Sequence, residues 1–250
     1  MYGNSTNEII GHRGACGYAP ENTIVSIIKA HELGIKHVEF DVKLTGDGEV
    51  ILIHDDTLDR TTDGSGSIGS WSLRDVQRLD AGSWFSKKFS GERIPTLKDA
   101  LLLLNDLSLS VNIEIKPSSG RELETTAAVC TVIKRFWHNK DSLPLVSSFS
   151  EKVMGIVSEK LPACDRALIV MDIPNNWQSK LCILGCNALH AWFKPLKKSN
   201  VREIKKFGYL LRCYTVNDLK LSRRLFGWGV DGIFSDFPDK LLCASQPHHL

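Results

Sequence analysis

The sequence predicts an α/β protein, a closed (β/α)8 barrel with a small inserted subdomain after its second strand. Three observations predict it. Eight short apolar, strand-like runs alternate with helical stretches along the 250-residue chain, and strands separated by helices of that length pair in parallel. These runs end in polar residues, where barrel enzymes keep their chemistry. One further run, "VILIHDD", follows the second strand too closely for a crossover helix to fit between them.

The elements follow in chain order. The first strand is Glu8–His12, apolar at Ile9 and Ile10 and running into "GHRGACGYAPENT". Pro20 and Glu21 then open a helix over Glu21–Leu33, with the proline before it and the acid in its first turn. The second strand is Lys36–Val42. Asp-Gly within "TGDGE", between two β-rich runs, is a hairpin signal, so "VILIHDD" returns antiparallel and is not a barrel strand. Residues 43 to about 95, including "RTTDGSGSIGSW", read as an excursion over the barrel top, with Trp71, Trp84 and Phe85 as its small core. Barrel strands resume at Ser110–Lys116, Pro144–Phe149, Arg166–Met171, Ala188–Trp192, Tyr209–Val216 and Gly232–Ser235. Helices fill the gaps at Thr96–Asn105, Glu122–His138, Glu151–Leu161, Asn176–Leu184, Ser199–Phe207 and Asn217–Trp228. Eight barrel strands make a TIM barrel.

Composition narrows the function classes. A chain that is 42% hydrophobic can bury a large core, and barrels of this length form one domain, here residues 1–250. A formal net charge of +2 argues against nucleic acid or an anionic membrane as partner. The opening "MYGNSTNE" is polar and no apolar run approaches the ~20 residues of a membrane span, so no membrane insertion and a cytoplasmic location are expected. Seven scattered cysteines do not suggest a disulfide framework. Cys182 and Cys186 lack a partner pair at zinc-site spacing and read as core packing.

The strand ends collect unusual chemistry. The first strand ends in His12-Arg13-Gly14, the second carries Glu39 and Asp41 on one face, and the third ends with Glu114 and Lys116. The excursion brings His54, followed by Asp55 and Asp56, back toward the second strand's end. An E-x-D pair alone reads as surface acids. Here apolar residues flank "HVEFDV" and a third acid comes in "VNIEIK", so Glu39, Asp41 and Glu114 converge. Three crowded carboxylates repel unless a cation lies between them, and all-oxygen ligands favour Mg²⁺ or Ca²⁺. His12 and His54 can serve as general acid and base, or as hydrogen-bonded structural residues. Arg13 and Lys116 suit a phosphate oxyanion, or pair with the acids just named. "DGSGSIG" lacks the Lys-Ser/Thr ending of a phosphate loop and reads as a flexible turn. His190 ends the sixth strand, where it could face the mouth, and His248 and His249 belong to a tail.

Together, "HRGACGYAPENT", "EFDVKLTGDGEVILIHDDTLDRTTDG", "IPTLKDAL", "NIEIKP", "SSF", "YTVND" and "WGVDGIFSD" resemble the glycerophosphodiester phosphodiesterase family, in order, from about Gly11 to Asp239. "DAGSWFSKKFSGERIP" and "LGCNALH" narrow the resemblance to its bacterial cytoplasmic branch. The resemblance implies the same barrel with its inserted subdomain. It implies a metal-dependent hydrolysis of glycerophosphodiesters to sn-glycerol 3-phosphate and an alcohol, with a small-molecule substrate. His12 and His54 would be the acid/base pair, Glu39, Asp41 and Glu114 the metal ligands, and Arg13 and Lys116 the phosphate holders. Tyr214, Phe149 and His190 are candidates for the substrate pocket; many family members carry tryptophan at the position of Tyr214. Which histidine is acid, whether water or the substrate 2-hydroxyl attacks, and the oligomeric state stay open at this stage. A phosphodiesterase acting on intact phospholipid would want an apolar surface segment. A binding barrel without turnover would have lost an acid/base group, and both histidines are present.

Overall fold

In the computed structural model, which describes residues 7–139 and 143–245, the alternation read from the sequence is the alternation observed. The strands are β1 (Glu8–Gly11), β2 (His37–Leu44), β3 (Val50–Leu52), β4 (Ser110–Ile115), β5 (Leu145–Ser148), β6 (Arg166–Val170), β7 (Ala188–Trp192), β8 (Leu210–Tyr214) and β9 (Gly232–Ser235). Their order in the sheet is β1-β9-β8-β7-β6-β5-β4-β2-β3. Parallel pairing of β1 with both β9 and β2 closes all but β3 into an eight-stranded parallel barrel. The α-helices are α1 (Ile24–Glu32), α2 (Leu73–Val76), α3 (Leu97–Leu107), α4 (Glu122–Phe136), α5 (Glu151–Lys160), α6 (Trp177–Leu184), α7 (Lys198–Lys206), α8 (Leu219–Trp228) and α9 (Leu242–Ser245). No helix among the described residues is long and apolar enough to cross a membrane. Residues 1–6, and the tail holding His248 and His249, lie outside the described residues.

The hairpin expected from Asp-Gly is present: Val42 pairs with Leu52 and Leu44 with Val50, antiparallel. That pairing carries β2 two residues past Val42, because the ladder to β3 supplies partners for the added backbone. Alternation then divides the work of β3. Val50 and Leu52 pack in the main core, while Ile51 and Ile53 join a second cluster with Leu58, Ile68, Val76, Ala81 and Ile94. The excursion therefore has its own core, yet its first strand lies on the barrel's own sheet. Trp71 packs against this second cluster. Trp84 does not: it is 39% exposed and meets Phe85 edge-to-face, with Phe89 beyond.

Other expectations shift by short distances, each for a local reason. Helix α1 begins at Ile24, after Glu21, because Asn22 sits in the left-handed region at φ 57° and cannot be helical. Thr23 caps the helix, its Oγ1 accepting from the Ser26 N–H at 3.3 Å. Lys116 lies one residue past β4, although its N–H still donates to the Val42 carbonyl. His190 is the middle residue of β7 and not its end. Cys186 is buried as expected, but Cys182 is exposed.

At the N-terminal end of the barrel, inward side chains make a small charged knot beside the apolar floor of Leu145, Ala167 and Ala188. Glu8 accepts from His37 Nδ1 at 2.6 Å and from Arg212 Nε at 3.0 Å. Burial alone would raise the Glu8 carboxyl; the His37 and Arg212 partners overcome it and hold it well below the usual carboxylate range. A carboxyl depressed on folding contributes stability above its unfolded value of about 4.3 and loses it as the pH falls further. Glu8→Gln is expected to lower the unfolding free energy at pH 7 by about 3 kcal/mol, the cost of leaving a buried cation without its partner. In denaturant titrations the gap to the parent should narrow below about pH 4; a gap independent of pH would refute the ionic origin.

Candidate active site

The barrel register assembles the acids. Across the β2–β4 ladder, Glu39 pairs with Asn112 and Asp41 with Glu114, so alternation turns all four inward in two successive layers. Ligand oxygens of Glu39, Asp41 and Glu114 lie within 4.8 Å of one another, and Glu39 and Asp41 are only 3% and 1% exposed. Their ionisation states are driven apart. Burial, then the charges of Asp41 and Glu114, raises Glu39 well above its ordinary value. Burial and Asp41 likewise push Glu114 up to about 7, against the pull of Lys116. Asp41 goes the other way: burial would raise it, but Arg13, His54 and Lys116, with a hydrogen bond from Asn22, hold it down. Glu39 Oε1 is buried without a hydrogen-bond partner. An unsatisfied carboxylate oxygen between two further carboxylates fits a hard divalent cation, Mg²⁺ or Ca²⁺.

Cations surround this cluster. The Arg13 N–H donates to Glu39 Oε2 at 3.0 Å, its Nη1 to Glu21 at 2.6 Å, and its Nε lies 3.2 Å from Asp41. Lys116 Nζ donates to Glu114 at 2.9 Å and lies 3.9 Å from Asp41. The ion pairs weighed against phosphate binding are therefore present. Arg13 takes φ 51°, a left-handed conformation that a branched-free but bulky residue adopts only at some cost, and Gly14 follows at φ 86°. A Cβ on Gly14 would fall 2.5 Å from Ser26 Oγ, so only glycine lets β1 turn here beneath α1.

Each histidine is backed by a carboxylate. His12 Nδ1 donates to Asp236 Oδ1 at 2.6 Å, directly after β9. Asn217 Nδ2 holds the other oxygen of that carboxylate at 2.7 Å. Burial would raise Asp236; its bonds and charge interaction with His12 instead keep it below the carboxylate range. His54 Nδ1 donates to Asp55 at 2.6 Å, and Asp55 is clamped by Arg60 from Nε at 2.7 Å. Arg60 also reaches Glu21 at 2.8 Å, tying the excursion to the loop after β1. The Ile53 N–H donates to the Asp41 carbonyl at 3.1 Å, which sets His54 beside the acids. Burial lowers the His54 imidazole, with Asp41 opposing and Arg13 assisting. Nδ1 is thus committed to a carboxylate on both rings, which fixes the tautomer of each.

A small cleft of about 40 Å³ joins these groups to the expected pocket residues: His12, Glu39 and Glu114 line it together with Phe149, His190 and Tyr214. Lys116 Nζ lies 5.6 Å from the Phe149 ring centroid, and Phe149 meets Tyr214 edge-to-face. The Tyr214 hydroxyl donates to the Val170 carbonyl at 2.9 Å. His190 forms part of the floor against Phe234, and burial keeps it neutral.

Sequence reasoning missed three contributors. Asp236 closes "GIFSD" at the end of the last strand, where the same strand-end rule would have found it. Asn22, whose Nδ2 donates to Asp41 at 2.9 Å, and the Glu21–Arg60 clamp depend on loop conformation and carry no periodic signal.

Residues 12–240 match the model of the glycerophosphoryl diester phosphodiesterase family. A glycerophosphodiester phosphodiesterase of Caldanaerobacter subterraneus is 35% identical over 94% of this chain and 96% of its own. One from Bacillus subtilis is 32% identical over 92% and 83%. The solved structure of an Oleispira antarctica phosphodiesterase, in complex with the product sn-glycerol-3-phosphate, superposes with a TM-score of 0.93 at 40% identity, covering 96% of each chain. With that match spanning the strand ends that carry both histidines and all three acids, this chain is an enzyme of the glycerophosphoryl diester phosphodiesterase family.

Proposed function

We propose that this enzyme hydrolyses glycerophosphodiesters to sn-glycerol 3-phosphate and an alcohol, dependent on Mg²⁺ or Ca²⁺, with His12 and His54 moving the protons. The observation that carries the reading is the pairing of two carboxylate-backed histidines with a three-carboxylate cluster in one barrel mouth. The relative from Oleispira antarctica, solved with sn-glycerol-3-phosphate, supports the product.

Glu39, Asp41 and Glu114 would hold the ion. When bound, it would supply Lewis-acid neutralisation of the phosphoryl oxygens, beside the cations Arg13 and Lys116. Arg13 and Lys116 turn part of their charge to the phosphate. One histidine Nε2 takes the proton of the nucleophile, water or the substrate 2-hydroxyl, and the other returns a proton to the departing alkoxide. Asp236 and Asp55 fix the tautomers and stabilise each imidazolium as it forms. Phe149 and Tyr214 offer the glycerol carbons an apolar wall, and neutral His190 offers a hydroxyl partner on the floor. The seven unpaired thiols fit a reducing, cytoplasmic setting.

Two experiments test the division of roles. Glu39→Gln, Asp41→Asn and Glu114→Gln should each weaken metal binding measured by calorimetry, with excess ion restoring part of the activity in at least one. Parent-like affinity in all three would remove the metal site. His12→Ala and His54→Ala should each lower kcat by ~10²–10⁴-fold with the metal still bound. On a diester with a p-nitrophenolate leaving group, the variant lacking the acid should regain much of its rate and the variant lacking the base should not. Equal losses on both substrates would reduce the histidines to phosphate hydrogen-bonders.

A further inference from the structure

Beside the acid/base histidine stands a thiol that the proposed reaction does not use. Cys16 Sγ donates to Asp236 Oδ1 at 2.9 Å and lies 3.9 Å from His12 Nδ1. One ligand atom from each of His12, Cys16 and Asp236 falls within 4.8 Å of the others, a second metal-competent group apart from the three carboxylates. The donors differ in kind. Imidazole nitrogen, thiolate sulfur and one carboxylate oxygen suit a borderline-soft ion such as Zn²⁺, whereas hard Mg²⁺ or Ca²⁺ prefers the all-oxygen cluster.

Two loops hold these donors in place. The Gly17 N–H donates to the Asp236 carbonyl at 2.9 Å, and a Cβ on Gly17 would fall 2.4 Å from the Phe237 ring. The loop after β1 is thus packed directly onto the turn after β9. Asn217 keeps Asp236 Oδ2 occupied, which leaves Oδ1 directed at His12 and Cys16. The side chains of His12 and Asp236 are 19% and 28% exposed, so an ion from solvent can reach them.

We propose that His12, Cys16 and Asp236 form an inhibitory Zn²⁺ site that shuts off the acid/base function of His12. Zinc contacts of about 2.3 Å to sulfur and about 2.0–2.2 Å to nitrogen and oxygen require Asp236 Oδ1 to move away from both Cys16 Sγ, now at 2.9 Å, and His12 Nδ1, now at 2.6 Å, by somewhat under one ångström, with solvent completing the coordination. Binding releases the thiol proton to solvent. The imidazole proton moves from Nδ1, now on the metal, to Nε2. A ring held in that tautomer has no lone pair facing the substrate and no longer has Asp236 to stabilise its cation. Inhibition, though not binding, rests on the reading of His12 as an acid/base group.

The test uses the full chain with saturating Mg²⁺, titrating Zn²⁺ against turnover and, separately, Cd²⁺ against the ultraviolet thiolate-to-cadmium charge-transfer band. Cys16→Ser keeps a hydroxyl that can donate to Asp236, and Cys16→Ala serves as a second variant; each is compared with its own zinc-free rate. Losing a ligand should cost at least the roughly 10–100-fold that losing a ligand's partner costs, so the variants should need that much more Zn²⁺ for half-inhibition and lose one cadmium band. A zinc midpoint or a cadmium band unchanged by both substitutions overturns the site, placing the ion at the carboxylates or at other thiols. The cadmium arm reads binding alone, so it decides the site even for a chain inactive on glycerophosphodiesters.

Discussion

The arrangement of the barrel mouth follows from one constraint: three carboxylates share a space in which they cannot all ionise unaided. Glu39, Asp41 and Glu114 approach within 4.8 Å across two successive layers, the first two buried and Glu114 partly so, where mutual repulsion is poorly screened. The surrounding residues resolve this unevenly. Arg13, Lys116 and Asn22 converge on Asp41 and keep it ionised. Glu39 receives one backbone N–H, and Glu114 one lysine. The remaining deficit is the part a divalent ion would supply. The left-handed conformations of Arg13 and Asn22 belong to the same solution, since they aim a guanidinium and an amide at one aspartate from a single loop.

The insertion answers a second requirement, to bring a histidine to a site whose strands are already occupied. A barrel strand offers one inward residue per layer, and above His37 β2 spends its inward positions on Glu39 and Asp41. Turning back at Asp47-Gly48 lets β3 run antiparallel along β2, so that His54 emerges beside Asp41 from the opposite chain direction. A detour of that length cannot remain loose. It acquires its own cluster around Ile51, Leu58, Ile68 and Val76, and Arg60 clamps it to Glu21 in the loop after β1.

What could be read in advance divides along physical lines. Strand existence, the hairpin and the inward acids depend on period two and on Asp-Gly, which are local properties of the chain. Thus Gly232–Ser235 and Ala188–Trp192 have the bounds expected of them, and Glu39, Asp41, Glu114, His12 and Phe149 reach one mouth. The pairings of those side chains were not legible, even where, as with Asp236, the strand-end rule marks the partner itself. Asp236 meets His12 across 224 positions only because β9 closes the barrel on β1, and Arg60 reaches Glu21 across 39 through the packing of two loops. The start of α1 was misplaced because Pro20 and Glu21 carry helix-start chemistry, while Asn22, in the left-handed region, defers the helix to Ile24. Trp84 looked like core because composition cannot distinguish a buried ring from one stacked on its neighbours at a surface.

The barrel interior also distributes its buried charge unevenly. Charged side chains gather in two groups along the axis: the acids with Arg13 and Lys116 at the top, and Glu8 with His37 and Arg212 at the bottom. Glu39 reaches into the layer between them, which otherwise holds neutral polar and apolar groups, Asn112, Ser147, His190, Ile169 and Phe234. Asn112 Oδ1, Ser147 Oγ and His190 Nε2 are buried there without protein partners. A protonated His190 would face Arg212 and His37 in a desolvated space, so burial and those neighbours enforce the neutral ring. The neutral ring thus adds no charge of its own between the two groups, although the charges of Arg212, His37 and Glu8 are felt there.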